Sequence, residues 1–139
     1  MISTHSIVAD YFNYRLRNQT DSNNPLLPYV IKMASKCEIK CRFNFSSASS
    51  IINAENIHRE IARELFNNNN ITWTYVINFI SFSAMLAENI IHKQPQNEDS
   101  IIGLFIDRTV DLIDSNLHLW FEQHHHWVVS FKFSKNHLL

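Results

Sequence analysis

The sequence predicts an all-α domain, and three observations carry that expectation. Apolar residues recur at steps of three and four in several separate segments. Glycine occurs once and proline three times in 139 residues, whereas the tight turns of sheet-rich folds need residues tolerant of positive φ. The stretch from Thr72 to Ile91 is apolar almost all round, with Trp73, Val76, Ile77, Phe79, Ile80, Phe82, Met85 and Leu86. A helix without a polar face belongs in the middle of a bundle. At 139 residues the chain fits one domain, residues 1–139, with seven to eight helices around that central one.

The first helix is expected from Ser3 to Asn18. Ile7, Val8, Tyr11, Phe12 and Leu16 share a face, and Ser3 or Ser6 is the candidate cap. Asn18 to Pro25 reads as a polar loop that ends at a proline. Pro28 suits the first turn of a second helix, where a missing N–H costs nothing. That helix carries Val30, Met33, Ala34, Cys37, Ile39 and Cys41. Ser46 to Ser50 breaks the pattern, a short helical piece follows at Ile51 and Ile52, and Ile57, Ile61 and Leu65 mark another amphipathic helix. The asparagines 67–70 end it, since Asn competes for backbone hydrogen bonds. Beyond the central helix, His92 to Ser100 is a polar loop and Ile101 to Leu117 is amphipathic. Two short helices are expected last, one through Trp120 and one from Trp127 to Phe133.

Composition narrows the function. Charged residues are 18% and the formal net charge is −1, so the clustered positive charge of a nucleic-acid footprint is missing. Hydrophobic residues at 45% are enough for a core, which excludes global disorder. Cys37 and Cys41 lie four apart on one helical face, awkward for a disulfide, and are read as free thiols in a reducing compartment. No charged and then apolar leader opens the chain, and no hydrophobic tail follows Trp127, so neither a secretory signal nor a membrane anchor is expected in it. The uncharged run from Asn67 to Ala87 has the length of a membrane span, but its Thr, Asn and Ser residues favour a buried helix. His124, His125 and His126, with Glu122 and His118 nearby, are candidate metal ligands by type. Three consecutive residues do not converge easily on one ion, and they are read as a solvated turn. No Ser-His-Asp order, phosphate loop or paired carboxylates stand out, so no enzyme and no cofactor are expected.

Four segments, in order, resemble motifs of one family. VADYFNYRLRN, Val8 to Asn18, has the shape of an N-terminal VVDFLSYKLSQ. ELFNNNNITWTYVINFISF, Glu64 to Phe82, matches a central ELFRDGVNWGRIVAFFSF with one residue inserted. WFEQHHHWVVSF, Trp120 to Phe131, matches a C-terminal WIQENGGWDTFV and keeps the spacing of its two tryptophans. EIKCRFNF, Glu38 to Phe45, is a weaker match on the second helix. Together they resemble the Bcl-2 family of apoptosis regulators, specifically its compact, poxvirus-like pro-survival members.

The resemblance implies a Bcl-2-like bundle with a hydrophobic surface groove. An amphipathic BH3 helix lays apolar anchors into such a groove, and a groove cation pairs its acidic residue. Carried over by position, the groove would be lined by Cys37, Lys40, Cys41 and Phe45 from the second helix. Ile61, Glu64 and Leu65 would come from the next long helix, and Thr72, Thr74, Tyr75, Ile77 and Phe82 from the central one, with Phe131 or Phe133 closing one end. The implied partners are BH3 motifs of pro-death proteins (Bax, Bak, Bim, Bid and Puma-like), with no nucleic acid. The implied place of action is the host cytoplasm, at the mitochondrial outer membrane. Two departures stand out: Tyr75 occupies the place of the groove arginine, with Lys40 of the second helix the candidate to supply part of that charge at longer range, and the second helix lacks the Leu-x-x-x-Gly-Asp of a killer segment. The alternative within the same fold is a viral inhibitor of innate immune signalling that works without a BH3 groove. A homodimer by exchange of the first helix also fits the short loop that follows it.

Overall fold

The computed structural model describes residues 3–40, 50–67, 70–124 and 127, with the side chains of 38–40 outside that description. Five α-helices make up the described residues: α1 Thr4–Arg17, α2 Leu27–Lys40, α3 Ile51–Phe66, α4 Trp73–Lys93 and α5 Glu98–Gln123, with a 3₁₀ turn Pro95–Asn97 before α5. No strand occurs among them. The all-α expectation therefore holds, but the expected seven to eight helices become five among the described residues, and two of the expected ones merge into longer helices for local reasons. The Ile51-Ile52 piece is continuous with the Ile57–Leu65 helix, because Ser50 caps the whole of α3 by accepting from the Asn53 N–H at 3.2 Å. The expected Trp120 helix is the last part of α5, since no Gly or Pro interrupts Leu117 to Gln123. The expected helix from Trp127 to Phe133 lies, beyond Trp127, outside the described residues.

Three of these helices start where the sequence supplies an acceptor. Besides Ser50, Ser3 caps α1 by accepting from the Ser6 N–H at 3.1 Å, and Thr72 caps α4 by accepting from the Tyr75 N–H at 3.4 Å. Asn18 ends α1 in the left-handed region, at φ 55°, a conformation that Asn tolerates better than most residues. The loop into α2 is tied back to α1: Asp10 accepts from the Ser22 hydroxyl at 2.9 Å and from the Asn24 amide at 3.2 Å.

α4 is the centre, packing against all four other helices. Val76, Ile77, Phe79, Ile80, Leu86 and Ile90 have no exposed surface. By length and composition α4 would also cross a membrane, yet 67% of its apolar window is buried by protein. α5 lies alongside α4, and α1 packs on α5, α2 and α4 through Ile7, Val8, Tyr11 and Phe12.

Where α3, α4 and α5 meet, the core contains a histidine. His58 is 1% exposed, stacked on Phe79 with ring centres 4.9 Å apart. Ser83 Oγ donates to the Phe79 carbonyl at 2.7 Å and Thr109 Oγ1 to the Phe105 carbonyl at 2.6 Å. Both hydroxyl protons are thus used, so His58 Nε2–H is the donor to Ser83 Oγ at 2.7 Å, with Thr109 Oγ1 at 3.5 Å. Burial, helped by the positive charge of Arg108, pushes its pKa down to about 3, so the ring is neutral at pH 7.

At the N-terminal end of α4 an aromatic cluster closes the bundle. Trp73 meets Trp120, Phe121 and Trp127 with ring centres 4.8, 5.5 and 4.6 Å away. The Trp127 indole N–H donates to Thr4 Oγ1 at 3.1 Å, joining the far end of the described chain to the first turn of α1. The three tryptophans are packing residues, as their size suggests.

Candidate ligand groove

The groove that the resemblance implies would take the amphipathic face of α3 as its first wall. Ile57, Ile61 and Leu65 recur every fourth residue, partly buried and packed against the core, while Ala54, His58, Ala62 and Phe66 point into it. Helical phase separates the two sets: the inward residues hold α3 to α4, and the Ile57–Leu65 stripe keeps part of its apolar surface accessible. Glu64 is exposed beside the stripe.

α4 contributes its opening turn and one side. Thr72 and Thr74 are exposed and Tyr75 is half-buried. From Tyr75 to Ile91, the positions that keep some exposure are Tyr75, Asn78, Met85, Glu88 and Asn89. Ile77 and Phe82 do not belong to that stripe. They are 0% and 3% exposed, so the structure places them in the core rather than on a ligand-facing surface. Motif alignment marks them, but helical phase does not: steps of three and then seven from Tyr75 lead to Asn78 and Met85. Asn78, which motif alignment does not mark, is a polar interruption of an apolar helix, and its side-chain oxygen is buried without a hydrogen-bond partner. A polar residue three steps from Tyr75 is the signal in the sequence that points to it.

α2 packs on α4 from another side, and on it Cys37 is half-buried, its thiol outside any disulfide. Lys40 ends α2, its backbone described and its side chain not, while Cys41, Phe45, Phe131 and Phe133 lie outside the described residues. The arrangement therefore sets Cys37, Ile61, Leu65, Thr72, Thr74 and Tyr75 on or beside helices that share α4 as their support. Glu64 stands at the exposed margin.

The histidine triplet contributes only its first member to the description. His124 is half-buried rather than solvated: its ring stacks on Trp120, centres 4.3 Å apart, and its Nδ1 lies 2.8 Å from the Trp120 carbonyl. Among the described residues no group of three or more His, Cys, Asp or Glu is placed to hold a metal ion.

The described residues form an all-helical bundle built on a buried apolar helix, with partly buried aliphatic side chains along a flanking helix. A family model described as "Apoptosis regulator proteins, Bcl-2 family" matches residues 30–127, from α2 to the aromatic cluster. The chain belongs to the Bcl-2 family. Members of that family are regulators of apoptosis rather than enzymes, and in general they interact with BH3 proteins. No curated protein and no solved structure matches the chain.

Proposed function

We propose that this chain is a pro-survival, poxvirus-like member of its family, which sequesters BH3 helices of pro-death relatives (Bax, Bak, Bim, Bid and Puma-like) at the mitochondrial outer membrane of a host cell. The observation that carries the reading is the Ile57–Ile61–Leu65 stripe on α3, partly exposed on the same bundle as the Tyr75 turn of α4. A BH3 helix presents apolar anchors at steps of three and four, and partly exposed aliphatic residues at the same period offer it a matching wall. Burial of those anchors drives binding, at about 25 cal/mol per Å² of apolar surface. Tyr75 supplies a ring for packing and one hydroxyl where a guanidinium would make a charge-assisted pair.

Calorimetric titration of the chain with a panel of BH3 peptides tests the reading. At least one should bind with a Kd between roughly 10 nM and 10 μM, or about −11 to −7 kcal/mol. Leu65→Ala should weaken that peptide by about tenfold, since a side chain lining an anchor pocket costs more than about 1 kcal/mol to truncate. No heat with any peptide would favour the other reading, inhibition of innate immune signalling without a BH3 groove. The burial of Ile77 and Phe82, two positions expected to line the groove, is the observation on that side.

A further inference from the structure

A pocket of about 270 Å³ opens between α1 and α2, lined by Tyr11, Tyr14, Arg15, Asn18, Ile31 and Ser35. Apart from Ile31, every lining residue carries a group able to donate a hydrogen bond, and no carboxylate lines the pocket. The donors come from two helices. Tyr11, Tyr14, Arg15 and Asn18 share one face of α1 at steps of three and four, and Ile31 and Ser35 share one face of α2. Arg15 is held in place from a third helix, its Nη2 3.5 Å from Glu88 of α4, with the Arg15 side chain 19% exposed and that of Glu88 41%. Lys32 and Lys36, each the residue after a lining residue of α2, are exposed beside the pocket.

We propose that this pocket binds a phosphate group, from a soluble phosphate ester or from a lipid headgroup. A guanidinium fixed at one wall, with hydroxyl and amide donors around it, suits a tetrahedral anion whose several oxygens each need a donor. A planar carboxylate offers two oxygens, fewer than Tyr14, Asn18 and Ser35 together with the guanidinium can serve. The two lysines raise the local concentration of anions without entering the pocket. Ser35 and Asn18, both exposed, stand at its accessible side, while Tyr11, at 2% exposure, forms its floor. The site is separate from the candidate groove, which uses Cys37 of α2 and the outer side of α3.

The test is an amide NMR titration of the full chain with sodium phosphate, against sodium chloride at matched ionic strength. Phosphate should give saturable shifts at Asn18 and Ser35, and chloride should not. Arg15→Gln should weaken phosphate binding at least tenfold. Because Arg15 also touches Glu88 and its loss risks the fold, Ser35→Glu provides a second variant: it puts a carboxylate at the accessible side and should abolish phosphate binding while BH3-peptide binding is unchanged. Glu88→Gln should act in the opposite sense and tighten phosphate several-fold, because it removes the competing anion; a merely structural role for the pair would not give tighter binding. Flotation with phosphatidylcholine vesicles, with and without phosphatidic acid, separates the sources. Co-flotation with phosphatidic acid that Ser35→Glu removes supports a headgroup, and phosphate binding without it supports a soluble ester. Shifts that are linear and equal for phosphate and chloride, or equal phosphate affinity in all three variants, would overturn the proposal.

Discussion

Acidification should destabilise this protein through one side chain. His58 has an ordinary value of 6.5 when exposed and about 3 in the fold, where burial and Arg108 disfavour its charged form. Between those two values the unfolded chain binds a proton at this site that the folded chain does not, so stability rises with pH there and falls as pH drops. Above the ordinary value the ring is neutral in both states and contributes no pH dependence. Each tenfold difference in proton affinity corresponds to about 1.4 kcal/mol, so the full loss between pH 6.5 and pH 3 is about 5 kcal/mol, of which about 2 kcal/mol is gone by pH 5. Carboxylates titrate over part of the same range, so the comparison must be made with His58→Gln, which retains a donor but no titration. Urea denaturation of both proteins at pH 7.5, 6, 5 and 4 gives the difference directly. The variant should be less stable than the parent at pH 7.5, and the gap should narrow by about 2 kcal/mol at pH 5. Parallel stability curves for the two proteins would refute the placement of His58 as a neutral, buried donor.

Other expectations follow from the same packing. Phe79→Ala removes a side chain with no exposed surface that touches His58 and Phe66, at ring-centre distances of 4.9 and 5.1 Å; it should cost about 3–5 kcal/mol by denaturant unfolding, and a loss below about 1 kcal/mol would contradict a central α4. Trp127→Phe keeps an aromatic ring but deletes the donor to Thr4, so it should cost about 1 kcal/mol and speed hydrogen exchange in the first turn of α1, with unchanged exchange there counting against the contact. If the proposed BH3 binding is found, replacing the peptide's aspartate by alanine should cost only about 1 kcal/mol and affinity should vary weakly with salt, because Tyr75 offers a neutral hydroxyl in place of a cation. Tyr75→Phe should then be mild and Tyr75→Ala severe, whereas loss of all binding on removing the aspartate would require a cation elsewhere.

The sequence is most legible where local chemistry decides the outcome. Thr72 and Ile91 bound the expected central helix to within two residues of Trp73–Lys93, because a capping threonine precedes an unbroken apolar run. Ser3 and Ser6 are equal candidates for the cap of α1 by residue type; the structure uses Ser3, while the Ser6 hydroxyl donates to the Ser3 carbonyl at 2.9 Å. Breaks are less legible than starts. Ile51-Ile52 reads as a separate piece and a short helix through Trp120 as another, yet neither place holds a residue that costs a helix enough to end it. The role of His58 escapes a sequence reading because a buried polar residue depends on partners 25 and 51 positions away. Its register is nonetheless visible, four residues from Ala54 and four from Ala62. In the candidate groove, motif alignment finds Ile61, Leu65 and Tyr75 at partly exposed positions but also takes in Ile77 and Phe82. An alignment ranks positions by identity, whereas exposure on a helix is set by angle.

The bond between Trp127 and Thr4 joins residues 123 apart in the chain, and that separation shapes how the protein is made. Synthesis runs from the amino end, so α1 is finished long before α5 and the aromatic cluster that receive it. At about 5–20 residues per second, the apolar face of Ile7, Val8, Tyr11 and Phe12 waits on the order of 10 s for its final partners. During that interval α1 is an amphipathic segment with an uncovered side, the kind of surface that holdase chaperones bind. Among the described contacts, the last to be formed on the ribosome is thus the one that closes the bundle, and a nascent chain stopped short of residue 127 would leave its first helix without that closure.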